Sequence, residues 1–533
     1  MKSLLKDRRV FYAALFLLCT LIFWKNIIGT SSEYQFRTYR DGSEALVLGK
    51  IFADVHGVPT GKANLGFVER DKITNGADVL AVYNRIDHPD AIVPAPVTDP
   101  NWIGGVARAQ PAIIIGRAEA EQLGYASNEV RPGQALHFAD GQTRTVTSVS
   151  ADSEYLTVTF DGAPLDGRTV GYPKEAGMWT SSDFKFSPYV SQYGPQGALF
   201  SRLYRSVPGF DSVSALQLFA AAACAIVLVL LAREYRISIS TGFAIIFLLS
   251  MVGSPWIVAK ARDLYWVAFL WFLPALVAMW LYRRIASRPV CLALYFVAVL
   301  LKALAGYEYL STVVLLSMAA FFVDPWMPVP RYGKRRALKI VAALGTLSVV
   351  AFVVALLMQS EIRGQTIMQG LELTFRKDAL KYNDLSHVAH VASRGLDMSM
   401  PSLLAEYVFQ WRTPLLFWGS QPYAFATLIV LCAASLAYQF AVRAEGRKRD
   451  AALVVAMLLP ALSWLLLMKG HSVVHTHLNY VLWYIGAVPA LLFVTLRPAT
   501  IIVRKMFASD APTHFRYLES NDVRRILPNH RKR

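Results

Sequence analysis

The chain has 533 residues, 55% of them hydrophobic, with 12 Trp, 24 Tyr and 29 Phe; this content, with repeated uncharged runs long enough to cross ~30 Å of hydrocarbon, excludes a soluble globular protein. The formal net charge of +17 does not signal nucleic-acid binding, because Lys and Arg lie in short clusters between apolar runs and no soluble segment carries a basic stripe interleaved with aromatics. Cys19, Cys224, Cys291 and Cys432 each fall inside an apolar run, so neither a disulfide framework nor a thiolate metal site is implied.

Residues 1–9 carry Lys2, Lys6, Arg8 and Arg9, and residues 10–28 are apolar with no small-residue cleavage site after them. The pattern predicts an uncleaved first span with the N-terminus cytoplasmic, leaving 29–211 outside as a long hydrophilic insertion. Within it, residues 34–52 put Asp41 and Glu44 at the head of a run in which Leu46, Val47, Ile51 and Phe52 recur at helical spacing. A helix lying along the membrane surface is expected, its acids near the positive end of the dipole. Such a carboxylate either acts as a general base just outside the bilayer or only caps the helix. Gly57-Val-Pro-Thr-Gly61-Lys62 is one residue short of a phosphate-binding loop and lacks the following Ser or Thr, so no ATP site is read there.

Residues 110–175 read as a compact β-module with strands at 112–115, 135–138, 143–149 and 156–160. Asp140-Gly141, Asp161-Gly162 and Asp166-Gly167 are its turn signals, and a barrel or sandwich of five or six strands is expected. Residues 183–203 return to the membrane with five aromatics, suited to the headgroup belt or to a sugar platform.

Further spans are expected at 213–232, 241–259, 264–282, 289–305, 310–323 and 338–358, then, after a second long external loop at 359–421, at 423–442, 452–468 and 478–496. With the first, that makes about ten spans in a polytopic α-helical membrane protein. Every basic cluster between them falls on one side, so both termini, including the basic tail 497–533, are expected in the cytoplasm, the tail held to anionic lipid by charge.

On the outer side this topology collects Asp41 and Glu44, then Lys260, Arg262 and Asp263, then Lys302 and Glu308, then Arg363, Arg376, Lys377 and Arg412, and finally Lys469, His471, His475 and His477. Ionisable groups at the hydrocarbon boundary are costly and usually face a cavity and a partner, although Lys302 also suits a lysine snorkelling to headgroups. Acids on one wall and cations on another suit a phosphate-bearing lipid whose neutral head is transferred. His471 and His475, at i and i+4, share a helical face: they hydrogen-bond phosphate or sugar, ligate a metal, or are merely polar groups of an interface helix.

The layout resembles the GT-C superfamily of integral-membrane glycosyltransferases: Arg40-Asp41-Gly-Ser-Glu44 matches its first-loop acidic motif, Ala261-Arg262-Asp263-Leu-Tyr-Trp266 its charged short loop, and 359–421 its late external loop. The resemblance implies transfer of a sugar, with inversion, from a polyprenyl-phosphate donor to a glycan, lipid or protein acceptor on the periplasmic face of a bacterial inner membrane. It makes Asp41 the general base beside Glu44, and Asp263 a second acid that positions substrate or, with Asp41, a divalent cation such as Mg or Mn. Arg262, Lys260, Lys302, Glu308, Arg412, Lys469, His471, His475 and His477 would contact the donor phosphate and sugar. The first-loop acids of the family are commonly adjacent and the β-module is not general to it, so acceptor and subfamily stay open. A lipid-linked sugar transporter or flippase, and an O-antigen-type polymerase or ligase, are the alternatives.

Overall fold

The structure, a computed structural model, describes residues 8–31, 43–70, 112–116, 132–133, 135–137, 143–151, 155–162, 184–375, 398–410, 415–416 and 423–508. Helix α1 (Arg8–Lys25) is followed by α2 (Glu44–His56), which ends at Gly57 in the left-handed conformation (φ 70°). The predicted helix is present, but it is not a surface helix: Glu44 to Ala53 are all buried. Strands β1 (Gly66–Arg70) and β6 (Phe184–Pro188) form an antiparallel ribbon over it. A Cβ at Gly49 of α2 would meet the Gly66 carbonyl oxygen, so only glycine permits this close approach.

The strands of the inserted module are β2 (Ala112–Gly116), β3 (Ala135–His137), β4 (Thr143–Ala151) and β5 (Tyr155–Phe160). They form a four-stranded antiparallel sheet in the order β2-β5-β4-β3. All four match predicted strands within two residues at either end; among the described residues they make an open sheet rather than a five- or six-stranded barrel or sandwich. Of the predicted turns, Asp161-Gly162 follows β5 with Gly162 at φ 92°, whereas Asp140-Gly141 and Asp166-Gly167 lie outside the described residues.

Helix α3 (Pro195–Ser206) packs against α2, and the apolar bundle begins with α4 (Val213–Ser238), capped by the Ser212 hydroxyl, which accepts from Ala215 N–H. The expected span 241–259 is two helices, α5 (Thr241–Val252) and α6 (Pro255–Ala261), bent by 72°. Gly253 ends the first, Ser254 caps the second through Ile257 N–H, and Pro255 at its first turn cannot continue the α5 ladder. Then come α7 (Phe269–Arg283), α8 (Arg288–Ala305), α9 (Leu310–Val323), α10 (Gly333–Arg363), α11 (Ile367–Thr374), α12 (Met400–Phe409), α13 (Ala424–Ala441) and α14 (Arg447–Leu467). The predicted span 478–496 is broken: α15 (Lys469–Val474), α16 (Thr476–Asn479) and α17 (Val481–Tyr484) precede α18 (Ala487–Thr495), with Gly486 at φ 157° between the last two. Helix α19 (Arg497–Ala508) closes the described chain.

Among the described residues, five helices, α4, α8, α10, α13 and α14, are long and apolar enough to cross a membrane, six with the bent pair, and α7, α9 and α18 are shorter apolar helices. The protein is a multi-pass helical membrane protein. Helix α10 displays the expected one-sidedness: Ala337, Ile340, Leu344, Ser348, Ala351 and Ala355 are buried, while Leu338, Val349 and Val353 are exposed apolar side chains suited to lipid.

The two ends of the bundle differ in charge. At one end, buried Glu234 pairs with Arg283 (2.7 Å), and buried Asp450 with Arg449 (2.6 Å) and Arg497 (2.9 Å). Asp324 there accepts from Tyr282 O–H and from the backbone N–H groups of Arg331, Tyr332 and Gly333. The basic clusters are thus anchored by acids that the sequence reading did not single out. The opposite end carries the candidate site.

Candidate functional site

Two carboxylates fold the segment between α6 and α7. Glu44, 1% exposed, accepts from Gln217 Nε2 (3.0 Å) and from Leu264 N–H (3.2 Å) through Oε1. Asp263, fully buried, accepts through Oδ1 from the N–H groups of Tyr265 (2.9 Å) and Trp266 (3.2 Å), the local side-chain-to-backbone pattern that turns a chain without a helix. Val267 completes the turn at φ 39°. Each acid satisfies backbone donors that burial would otherwise leave unpaired.

This turn presents Trp266 to two partners. Lys260 Nζ lies 3.6 Å from the centroid of its indole, and Tyr309 stacks on it at 5.7 Å with an interplanar angle of 10°. A desolvated cation over Trp is worth about 2 kcal/mol, which helps explain how a fully buried lysine is tolerated. Tyr309, left-handed (φ 62°) at the head of α9, donates its hydroxyl to Asn479 Oδ1 (2.9 Å), and Asn479 Nδ2 lies 3.3 Å from His471 Nδ1. His471 packs edge-on against Trp464 and lies 4.7 Å, ring to ring, from His475. Burial above all, then His475 and Lys260, pull the His471 pKa down to about 3. Lys260, Trp266, Tyr309, Asn479 and His471 therefore form a closed circuit drawn from three separate parts of the chain.

A second polar group adjoins it. Tyr265 O–H donates to Glu308 Oε1 (3.3 Å), and Glu308 interacts with the charge of buried Lys302, whose ammonium donates to the Gly306 carbonyl. Gln196 Nε2 donates to both the Tyr265 (3.2 Å) and Ala305 (2.9 Å) carbonyls, tying the α6–α7 turn to the end of α8.

The structure thus brings together Glu44, Lys260, Asp263, Lys302, Glu308, His471 and His475. The first four are buried, and His471 nearly so, in a packed polar cluster rather than an open chamber; Glu308 and His475 are half-buried at its margin. Arg262 donates to the Trp24 carbonyl (3.3 Å) in the last turn of α1. Arg363 reaches Thr374 Oγ1 (3.4 Å), and Lys469 is half-buried at the head of α15. Asp41, Arg376, Lys377 and Arg412 lie outside the described residues, as does the side chain of His477. Among the described residues no group of three His, Cys, Asp or Glu is placed to hold a metal ion, and Asp263 Oδ1 accepts from two backbone N–H groups.

Gln217, Tyr265, Trp266, Tyr309 and Asn479 were not among the predicted site residues. For Gln217 the signal is a Gln inside an otherwise apolar helix, which needs a partner at that depth; the others carry no such local mark. No protein-family model matches the chain, and neither the curated proteins nor the solved structures contain a match to it.

Proposed function

We propose that the protein is a membrane glycosyltransferase, with about ten spans in a GT-C-like arrangement, that moves a sugar from a polyprenyl-phosphate donor to an acceptor hydroxyl on the periplasmic face of a bacterial inner membrane. The observation that carries this reading is the convergence of two buried carboxylates, two buried lysines and an aromatic–histidine circuit at the end of the bundle opposite the arginine clusters. Outside the cytoplasm a sugar arrives on a lipid carrier, and the phosphate left behind gains charge that fixed cations and hydrogen-bond donors stabilise. Lys260, with Lys302, supplies such charge.

In the proposed step the acceptor oxygen attacks the anomeric carbon in line and Asp41 takes its proton. The bond from that carbon to the phosphate oxygen breaks, and polyprenyl phosphate leaves with the electron pair, inverting the centre. Glu44, both of whose oxygens lie within hydrogen-bond distance of Gln217 Nε2, is a positioning residue: it fixes the start of α2, three residues after Asp41, against the Asp263 turn. The half-buried Glu308 and His475 mark the side from which substrate enters.

The test is to supply membranes containing the protein with a radiolabelled polyprenyl-phosphate sugar and membrane extract as acceptor. Covalent transfer of label with release of polyprenyl phosphate is expected. Movement of the intact lipid-linked sugar across the bilayer without transfer would overturn the proposal in favour of a flippase.

A further inference from the structure

We propose that the groove between α8 and α10 binds one phospholipid with an anionic head group, in the leaflet at the arginine-rich end of the bundle. The site stands whether or not the protein transfers sugar. The two helices run side by side in the same direction: Tyr295 and Ser348 share a hydrogen bond (2.9 Å), and Tyr307 O–H donates to Gln359 Oε1 (2.8 Å), pairs 53 and 52 residues apart. Toward their N-termini the packing opens into a groove of about 500 Å³, lined by Leu292, Ala293 and Phe296 of α8 and by Ala343, Thr346 and Leu347 of α10. All of these side chains but Thr346 are apolar, so the groove suits an acyl chain and offers a head group almost nothing to bind inside it.

Each wall of the groove leads to a cation. Arg288, Leu292 and Phe296 follow one another at four-residue spacing on α8, and Lys339, Ala343 and Leu347 repeat that spacing on α10. Each row of groove residues therefore continues, one turn nearer the N-terminus, into a positive charge. Helical side chains lean toward the N-terminus, which aims both cations at the membrane surface rather than into the groove. Arg284 and Arg336 stand beside them, both against the Tyr332 ring (5.4 and 5.3 Å to its centroid), and Tyr332 is itself fixed by donating its hydroxyl to the Leu281 and Tyr282 carbonyls (3.0 Å each).

These four cations differ from other basic residues of this end. Arg283, Arg449 and Arg497 are neutralised by the buried Glu234 and Asp450. Arg284, Arg288, Arg336 and Lys339 are exposed and, among the described residues, pair with no carboxylate. A phosphate oxygen supplies the anion they lack, through charge-assisted hydrogen bonds in which arginine offers two parallel donors. A zwitterionic lipid brings its own ammonium group to the same place, which the cations repel. The acyl chain adds apolar burial that a free phosphate does not have.

The experiment uses the full-length protein, delipidated in detergent, with native mass spectrometry to read retained lipid. One dioleoyl phosphatidylglycerol is expected to bind at least ~tenfold more tightly than dioleoyl phosphatidylethanolamine and to raise the thermal midpoint. Arg288→Gln with Arg336→Gln, both at exposed helical positions, should abolish that preference. Arg443→Gln with Lys448→Gln, on the connection between α13 and α14, removes as much charge and should preserve it. Ala293→Trp, also at an exposed position, fills the groove with every cation in place and is expected to weaken binding at least ~tenfold. The proposal is overturned by a native protein without lipid preference, or by equal loss in the two charge variants, which would mean general surface charge. Undiminished binding in Ala293→Trp, or displacement of phosphatidylglycerol by equimolar glycerol phosphate, would equally overturn it, since the acyl chain would then have no part in binding.

Discussion

Glu44 Oε1 accepts the backbone N–H of Leu264 at 3.2 Å, across 220 residues of sequence. That contact joins the first helix after the first span to the turn that carries Asp263 and Trp266. Replacing Glu44 with Ala leaves the Leu264 N–H and the Gln217 amide without this acceptor in a buried setting, which is expected to cost about 2–4 kcal/mol. Thermal unfolding in detergent checks it, and pairing Glu44→Ala with Gln217→Leu should recover part of the loss, because one of the orphaned donors is then gone.

Gly306 sits at φ 158° and ψ 146°, and a Cβ there would lie 2.2 Å from Glu308 Oε2 and 2.4 Å from Gln192 Oε1. Gly306→Ala is therefore expected to destabilise by about 1–3 kcal/mol and to displace Glu308 from Tyr265. Adding Glu308→Ala removes the tighter clash and should restore part of the thermal midpoint; no recovery would show that the backbone conformation alone sets the cost.

The His471 pKa, lowered from 6.5 to about 3, makes a signed prediction. Between these values the unfolded chain binds a proton that the folded chain resists, so stability rises with pH through this window and is lost on acidification below about 6.5, by at most ~1.4 kcal/mol per pH unit. His471→Gln should flatten that part of the stability profile. An identical acid slope in both proteins would mean that other groups, His475 among them, produce it.

At the opposite end, Asp450 is fully buried between Arg449 and Arg497. Asp450→Asn leaves two guanidinium groups without their carboxylate and is expected to cost about 3–5 kcal/mol. Donor affinity per folded molecule should stay at the native value, since the pair lies away from the Lys260 circuit. A selective loss of donor binding with normal stability would contradict this division between the two ends.

The inserted sheet and the apolar runs were legible because alternation and span length are local properties of the sequence: predicted strands at 112–115 and 156–160 appear as Ala112–Gly116 and Tyr155–Phe160. The 72° break after Val252 was written in Gly253-Ser254-Pro255 yet was masked by the unbroken apolar composition around it. The run predicted at 34–52 contains α2 from Glu44 on, and the helix continues to His56, but its burial depends on the β1–β6 ribbon, whose strands are far apart in sequence. The charged site residues stood out in an apolar chain, whereas Asn479 and Gln217 gain meaning only from Tyr309, His471 and Glu44, which no local pattern connects to them. The resemblance gives Arg262 as a donor-phosphate contact; its guanidinium also donates to the Trp24 carbonyl, 238 residues away in sequence, a contact that no local pattern signals.

The central claim, that the polar end of this bundle transfers sugar with a first-loop carboxylate as base, is tested most directly by Asp41→Asn in membranes supplied with a labelled polyprenyl-phosphate sugar. Loss of turnover by at least ~100-fold with donor binding retained is predicted; undiminished transfer would contradict it.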